Sequence, residues 1–199
     1  MNCRKYKDKA EKQKAGWIRE LPPQLPYFHV IGNEDLDTPY QFDHTEHILY
    51  VRTKDDYNSL PHKVISAYEA VNSEYQYEYI FKTDDDQNLT QSAFLPMLME
   101  FLKANPQANY GGKIVNVLQE HISEYYHFHP ELPRDVLVKK TQYCNGRFYF
   151  LSKRSVLDLL GKKAVFKKEF FEDYTVGYYL DPLLKNPISE IPNDVFVDF

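Results

Sequence analysis

Short apolar runs alternate with segments of helical period, and this limits the fold more than any other feature of the chain. Tyr27 to Ile31, His47 to Val51, Tyr77 to Lys82 and Tyr110 to Val117 each read as a strand. Between them, Leu60, Val64, Ala67, Tyr68 and Val71 recur on one helical face, with Ser59 placed as an N-cap. Phe94, Leu95, Leu98, Phe101 and Leu102 do the same over residues 91–104. Strand, helix, strand in succession predicts βαβ units, a mixed and mainly parallel central sheet, and ligands at the carboxyl ends of its strands.

The flanking segments carry other signals. Lys5 to Lys14 reads as a charged helix stopped by Pro22, Pro23 and Pro26. Residues 33–46 and 118–141 read as loops. Tyr143 to Ser152 is a further strand with Gly146 inside it, and Arg154 to Leu160 a short helix. Glu172 to Leu184 has helical character interrupted at Pro182. No repeat or Gly/Ser linker divides the 199 residues. The expectation is one α/β domain over 1–199, with a nucleotide-binding half over about 1–90 and an acceptor-binding half over about 91–199.

Composition narrows the function. The net charge of −5 disfavours a nucleic-acid partner, which would select a basic face. Seventeen Tyr and thirteen Phe suit a core plus a cleft that stacks flat ligands or sugar rings. Cys3 and Cys144 make neither a disulfide framework nor a metal set. No apolar run reaches the roughly 20 residues a membrane span needs. Asn88-Leu89-Thr90 is a formal glycosylation acceptor beside the chain's densest acids, and a glycan there would block them, so a cytoplasmic location is expected. Seven glycines form neither GxGxxG nor a Walker loop, so a bound phosphate would need a metal or basic side chains.

Chemistry concentrates in two places. Tyr79 to Asp86, YIFKTDDD, runs an apolar strand straight into three carboxylates. Such repulsion is tolerated in water or offset by a divalent cation. On a strand end Asp84 and Asp86 share one side and Asp85 takes the other, so two carboxylates could hold Mg²⁺ or Mn²⁺. An EF-hand is excluded: Leu89 and Leu95 stand where that loop needs Gly and Glu. The second place is Glu172-Asp173, behind Phe170 and Phe171, where partial desolvation would make a carboxylate a better base. Both places also read as plain structure: an acidic turn, and an acidic first helical turn favoured by the dipole. His127 and His129, spaced i, i+2, could bind a metal, contact an acceptor or simply sit on the surface. Lys162, Lys163, Lys167 and Lys168 form either a solvated turn or an attractor for an anionic donor.

Taken in order, these segments resemble the inverting GT-A glycosyltransferases of the β-1,3-galactosyltransferase and Fringe-like group. Asp56-Tyr57-Asn58-Ser59-Leu60 with Lys63, Phe81 to Asp86, Tyr110 to Lys113, Tyr143 to Ser152 and Glu172 to Gly177 each resemble a family segment. The resemblance implies a GT-A fold, with a Rossmann-like nucleotide-binding half fused to an acceptor-binding half. It implies Mn²⁺ or Mg²⁺ on Asp86, with Asp84 beside it. Asp84, Asp85, Lys63, Asp56, Gly146 and Asn145 would serve a nucleotide-sugar donor, most simply a UDP-linked hexose or deoxyhexose. Asp173 would be the general base toward a hydroxyl of a glycan acceptor, with Glu172 positioning it or the acceptor. Family members usually carry an apolar strand before the first charged helix, and here Met1-Asn2-Cys3 precede Arg4. No His follows His129, so aspartate, diphosphate and water would hold the metal, or a further ligand would lie beyond Phe199. The compact form resembles a catalytic domain of a longer viral or microbial polypeptide, with further domains as partners and, if viral, the host cytoplasm as its location. The rival readings are a metal-dependent hydrolase of phosphates or nucleotide sugars, a retaining glycosyltransferase and a non-enzymatic sugar-binding module. Acceptor-independent phosphate release, the product's anomeric configuration and metal-independent glycan binding distinguish them in turn.

Overall fold

The computed structural model describes Met1 and residues 3–199. In chain order the strands are β1 His29–Gly32, β2 Tyr40–Asp43, β3 Ile48–Val51, β4 Tyr79–Thr83, β5 Gln87–Leu89, β6 Tyr110–Val117, β7 His121–Ile122, β8 Leu137–Val138, β9 Thr141–Ser152, β10 Ser189–Glu190 and β11 Phe196–Asp198. The helices are α1 Lys7–Ala15, α2 Leu60–Glu74, α3 Phe94–Ala104, α4 Lys153–Leu160, α5 Lys163–Phe166, α6 Glu172–Tyr179 and α7 Pro182–Lys185.

Two sheets carry the architecture. One has the order β1-β3-β2, the other β10-β6-β9-β4. The sheets are mixed, as the sequence suggests, but they are not mainly parallel. Only β1 with β3 and β6 with β10 run parallel, while β2 with β3, β4 with β9 and β6 with β9 run antiparallel. The reason lies in the second sheet. The βαβ reading places β4 beside a parallel neighbour after the α2 crossover, yet its ladder is made with β9, which arrives from residues 141–152. β2 also falls inside the segment expected to be loop, because a four-residue edge strand in polar sequence gives little periodic signal.

α2 is a wedge between the sheets and is buried well beyond its expected stripe. Val64, Ile65 and Tyr68 enter a cluster with Tyr110, Tyr149, Leu151 and Val176, while Ala67 and Ala70 pack with Val30, Leu49 and Val51. A third cluster joins α3 to β9 through Leu95, Leu98, Phe148 and Phe150. Ser59 makes no side-chain cap. The Asp56 carboxylate instead accepts from the Ser59 amide at 2.8 Å. The Glu172 to Leu184 segment divides into α6 and α7, with Leu180 extended between them.

Close approach of α6 to β9 fixes the site's geometry. A Cβ on Gly177 would lie 2.3 Å from the Tyr143 Cβ and 2.7 Å from its Cα. Only glycine lets the helix cross the strand there, and that crossing brings the start of α6 against Gly146.

Candidate active site

β9 supplies the floor of the site through an irregularity. Tyr149 pairs with Gly112 of β6, but the next partner of β6, Ile114, pairs with Cys144. Residues 145–148 therefore leave the ladder with β6, as a bulge does beside many sites, while Phe148 stays paired with Thr83 of β4. The Asn145 side chain accepts from the Arg147 amide at 2.9 Å and shapes the bulge. Gly146 stands at its crest. A Cβ there would lie 3.2 Å from both Asp84 Oδ2 and Lys82 Nζ, and 3.5 Å from Asp173 Oδ2. Three parts of the chain, at residues 82–86, 145–147 and 172–173, thus converge on one glycine.

Lys82 ties them together. Its ammonium lies 2.6 Å from Asp84 Oδ1 and 2.9 Å from Glu172 Oε2, and it donates to the Gly146 carbonyl at 2.8 Å. Lys82 and Glu172 are both buried. Burial works against the Lys82 charge, but Asp84 and Glu172 outweigh it and raise its pKa. The other Glu172 oxygen accepts from the Tyr149 hydroxyl, which is itself 2.6 Å from the Tyr68 hydroxyl. Glu172 is therefore spent on holding the site together, not open to solvent.

Asp173 differs from its neighbour. Its Oδ2 accepts from the Gly146 amide at 2.9 Å and its Oδ1 from the Tyr174 amide at 2.8 Å. Burial, reinforced by the negative Glu172, raises its pKa to about 6 in spite of Lys82. A carboxylate so tuned is ionised at neutral pH yet more basic than an exposed one. Aromatic side chains lie within reach of its charge. The pKa values of Tyr57, Tyr125 and Tyr143 are raised chiefly by burial and further by the Asp173 charge. Tyr57 stacks on His129 at 3.7 Å between ring centroids, Tyr125 stacks on His129 at 5.5 Å, and Phe171 meets Tyr125 edge-on at 5.9 Å.

The acid cluster meets a second cation. Lys9 of α1 lies 3.2 Å from Asp86 Oδ2 and 3.8 Å from Asp85 Oδ1. Burial opposes ionisation of Asp86, but hydrogen bonds from Gln87 and Lys9, with the Lys9 charge, bring its pKa below the usual value. Burial raises that of Asp85. The Lys63 ammonium is 2.6 Å from Asp55 Oδ1, the oxygen that also accepts from the Gly32 amide. Asp56 is exposed and spent on the Ser59 amide.

Among the described residues no group of three or more His, Cys, Asp and Glu is arranged to hold a metal. His127 and His129 accordingly form no such set. The donor chemistry still suits a hard cation. Mg²⁺ and Mn²⁺ take oxygen ligands, and Mg²⁺ commonly uses one or two carboxylates with substrate phosphates and water instead of an all-protein cage. Asp84 and Asp86 offer that, each now satisfied by a lysine.

Sequence reasoning named the acids but not what organises them. Lys82 was visible as a lone charge in an apolar strand, a signal that it is buried with a partner. Lys9, Tyr149 and Tyr68 had no local signal, because only the fold brings them to the site.

The mixed α/β domain gathers strand-end acids and the Glu172–Asp173 pair around one glycine. The family model described as Galactosyltransferase matches residues 16–188. The match covers most of the chain and every acid of the site, and the chain belongs to the galactosyltransferase family. No curated protein matches it.

Proposed function

We propose that this enzyme is an inverting, metal-dependent GT-A transferase that moves a sugar from a UDP-linked donor to a glycan hydroxyl, with Asp173 as the base. The observation that carries this is Asp173 itself: held by two backbone amides, pushed up to about 6, and within electrostatic reach of Tyr57, Tyr125 and Tyr143. The aromatic surface formed with His129 and Phe171 suits a sugar ring, whose apolar face packs on flat aromatic groups. An acceptor stacked there would present a hydroxyl to the carboxylate.

In the reaction, Asp173 takes the acceptor hydroxyl's proton while that oxygen bonds to the anomeric carbon. The bond from that carbon to the phosphate oxygen breaks, and its electron pair leaves with the diphosphate. One displacement from the opposite face inverts the centre. Asp84 and Asp86 would hold Mn²⁺ or Mg²⁺, which would supply charge neutralisation at the leaving diphosphate. Asp85 and Asn145 would meet the nucleotide and sugar, and Gly146 would let the backbone approach the donor. Lys63 and Asp56 would serve the donor from the segment between β3 and α2. Glu172 positions the base through Lys82 and Tyr149.

We place the enzyme in the cytoplasm. Asn88 lies within β5, paired with Val197 of β11, and a glycan on it would crowd the neighbouring Asp86. Among the described residues no helix is long and apolar enough to cross a membrane. The test of the donor site is calorimetric titration with UDP, with and without Mn²⁺. Binding is expected only with the metal, and Asp86→Ala should abolish it. Equal binding without metal would overturn the metal site.

A further inference from the structure

The two lysines that satisfy the acid cluster are held in different ways. Lys82 is fixed: it is buried, and its ammonium is bound by Asp84, Glu172 and the Gly146 carbonyl. Lys9 is not enclosed. Its side chain keeps 30% of its surface exposed, and its ammonium lies 3.2 Å from Asp86 Oδ2, 3.8 Å from Asp85 Oδ1 and 4.5 Å from the centroid of the Tyr6 ring. The Asp86 side chain is itself 42% exposed. An ion pair open to water on both sides contributes little and exchanges readily.

The backbone behind Lys9 is by contrast firmly placed. Gln13, one turn further along α1, is buried and donates to the Asp84 carbonyl at 2.8 Å and to the Gln87 carbonyl at 3.0 Å. The Trp17 indole donates to the same Gln87 carbonyl at 3.0 Å. Residues four apart share a helix face, so Lys9 is aimed at the acids by an anchor that does not depend on its charge. Its flexible stem lets the ammonium move while the helix stays.

Resting on Asp86 as a metal ligand, we propose that Lys9 competes with the divalent cation for this carboxylate, yields when the cation arrives with the donor's diphosphate, and then pairs with the diphosphate. The reason is charge. A hard cation takes carboxylate oxygens, and Asp86 Oδ2 is the oxygen that Lys9 binds. A cation that binds alone must displace Lys9 and leave its ammonium nearby without a counter-charge. A diphosphate brings several negative charges, enough for the cation and Lys9 together. Cation and nucleotide therefore bind as a unit, each raising the affinity for the other by the same factor. Lys82 cannot take this part, because its three partners and its burial hold it in place.

The test measures Mn²⁺ affinity directly, from the loss of the free-ion signal in electron paramagnetic resonance, with and without UDP. Lys9→Met keeps an apolar stem and removes the charge, Lys9→Gln is a second neutral form, and Lys9→Arg keeps the charge. Without UDP, both neutral forms should bind Mn²⁺ about tenfold tighter than the parent, and Lys9→Arg should stay close to the parent. UDP should tighten Mn²⁺ binding in the parent, and the factor should shrink about tenfold in the neutral forms. A purely structural role for Lys9 gives another pattern, since a loosened α1 would weaken Mn²⁺ binding with UDP and without it. Parental or weaker Mn²⁺ affinity in the neutral forms, with Asp86→Ala abolishing it, would overturn the role of Lys9 and leave the metal site standing. Equal Mn²⁺ affinity in the parent and Asp86→Ala would instead remove the metal site, and the competition with it.

Discussion

Asp173→Asn should lower kcat by about 10²–10⁴-fold, the usual worth of a general base, while UDP binding stays unchanged. Asparagine keeps one acceptor oxygen for the Gly146 or Tyr174 amide but cannot take a proton. In the unaltered enzyme the carboxylate must be ionised to act, so activity should fall as pH drops through about 6. The substitution should remove that limb from any residual rate. Stability should move the other way. Because the folded state raises this pKa above its unfolded value, the folded form binds the proton more tightly, and stability declines as pH rises from about 4 to about 6. Asp173→Asn should therefore abolish this pH dependence of stability, as read by urea unfolding from pH 4 to pH 7. Near-parental turnover by Asp173→Asn would show that Asp173 is not the base.

Lys82→Met should be the most destabilising single change in the site. It strips the ammonium from Glu172, which is buried, and from Asp84 beside it. Breaking a buried pair by removing one partner costs about 3–5 kcal/mol, because the remaining charge is left uncompensated. That is a large share of the roughly 5–15 kcal/mol that holds a typical domain. The double substitution Lys82→Met with Glu172→Gln should recover much of the loss, since the amide keeps a partner in Tyr149 without a charge. Urea midpoints of the three proteins measure this. A Lys82→Met midpoint equal to the parent's would show that Lys82 does not clamp the site.

What the sequence disclosed follows from how far each signal reaches along the chain. β4 and its three acids are contiguous, so their end-of-strand position could be read directly. The stripe of α2 was visible as a period, but its burial on two sides was not, because the second surface belongs to a sheet formed elsewhere. β5, β10 and β11 are two or three residues long, too short for any period to register. The parallel sheet failed as an expectation because β9 reached β4 from about 70 residues further on. The Lys82–Glu172 pair spans 90 positions and exists only once α6 crosses β9 at Gly177. The Lys63–Asp55 pair, by contrast, is local, eight residues apart.

The anomeric configuration of the product bears most directly on the mechanism. UDP-galactose with an α-linked sugar would be incubated with Mn²⁺ and glycan acceptors, and the new linkage read from its anomeric proton coupling. A single displacement driven by Asp173 predicts a β-linked product. An α-linked product would refute it, because retention cannot arise from one in-line attack activated by one base.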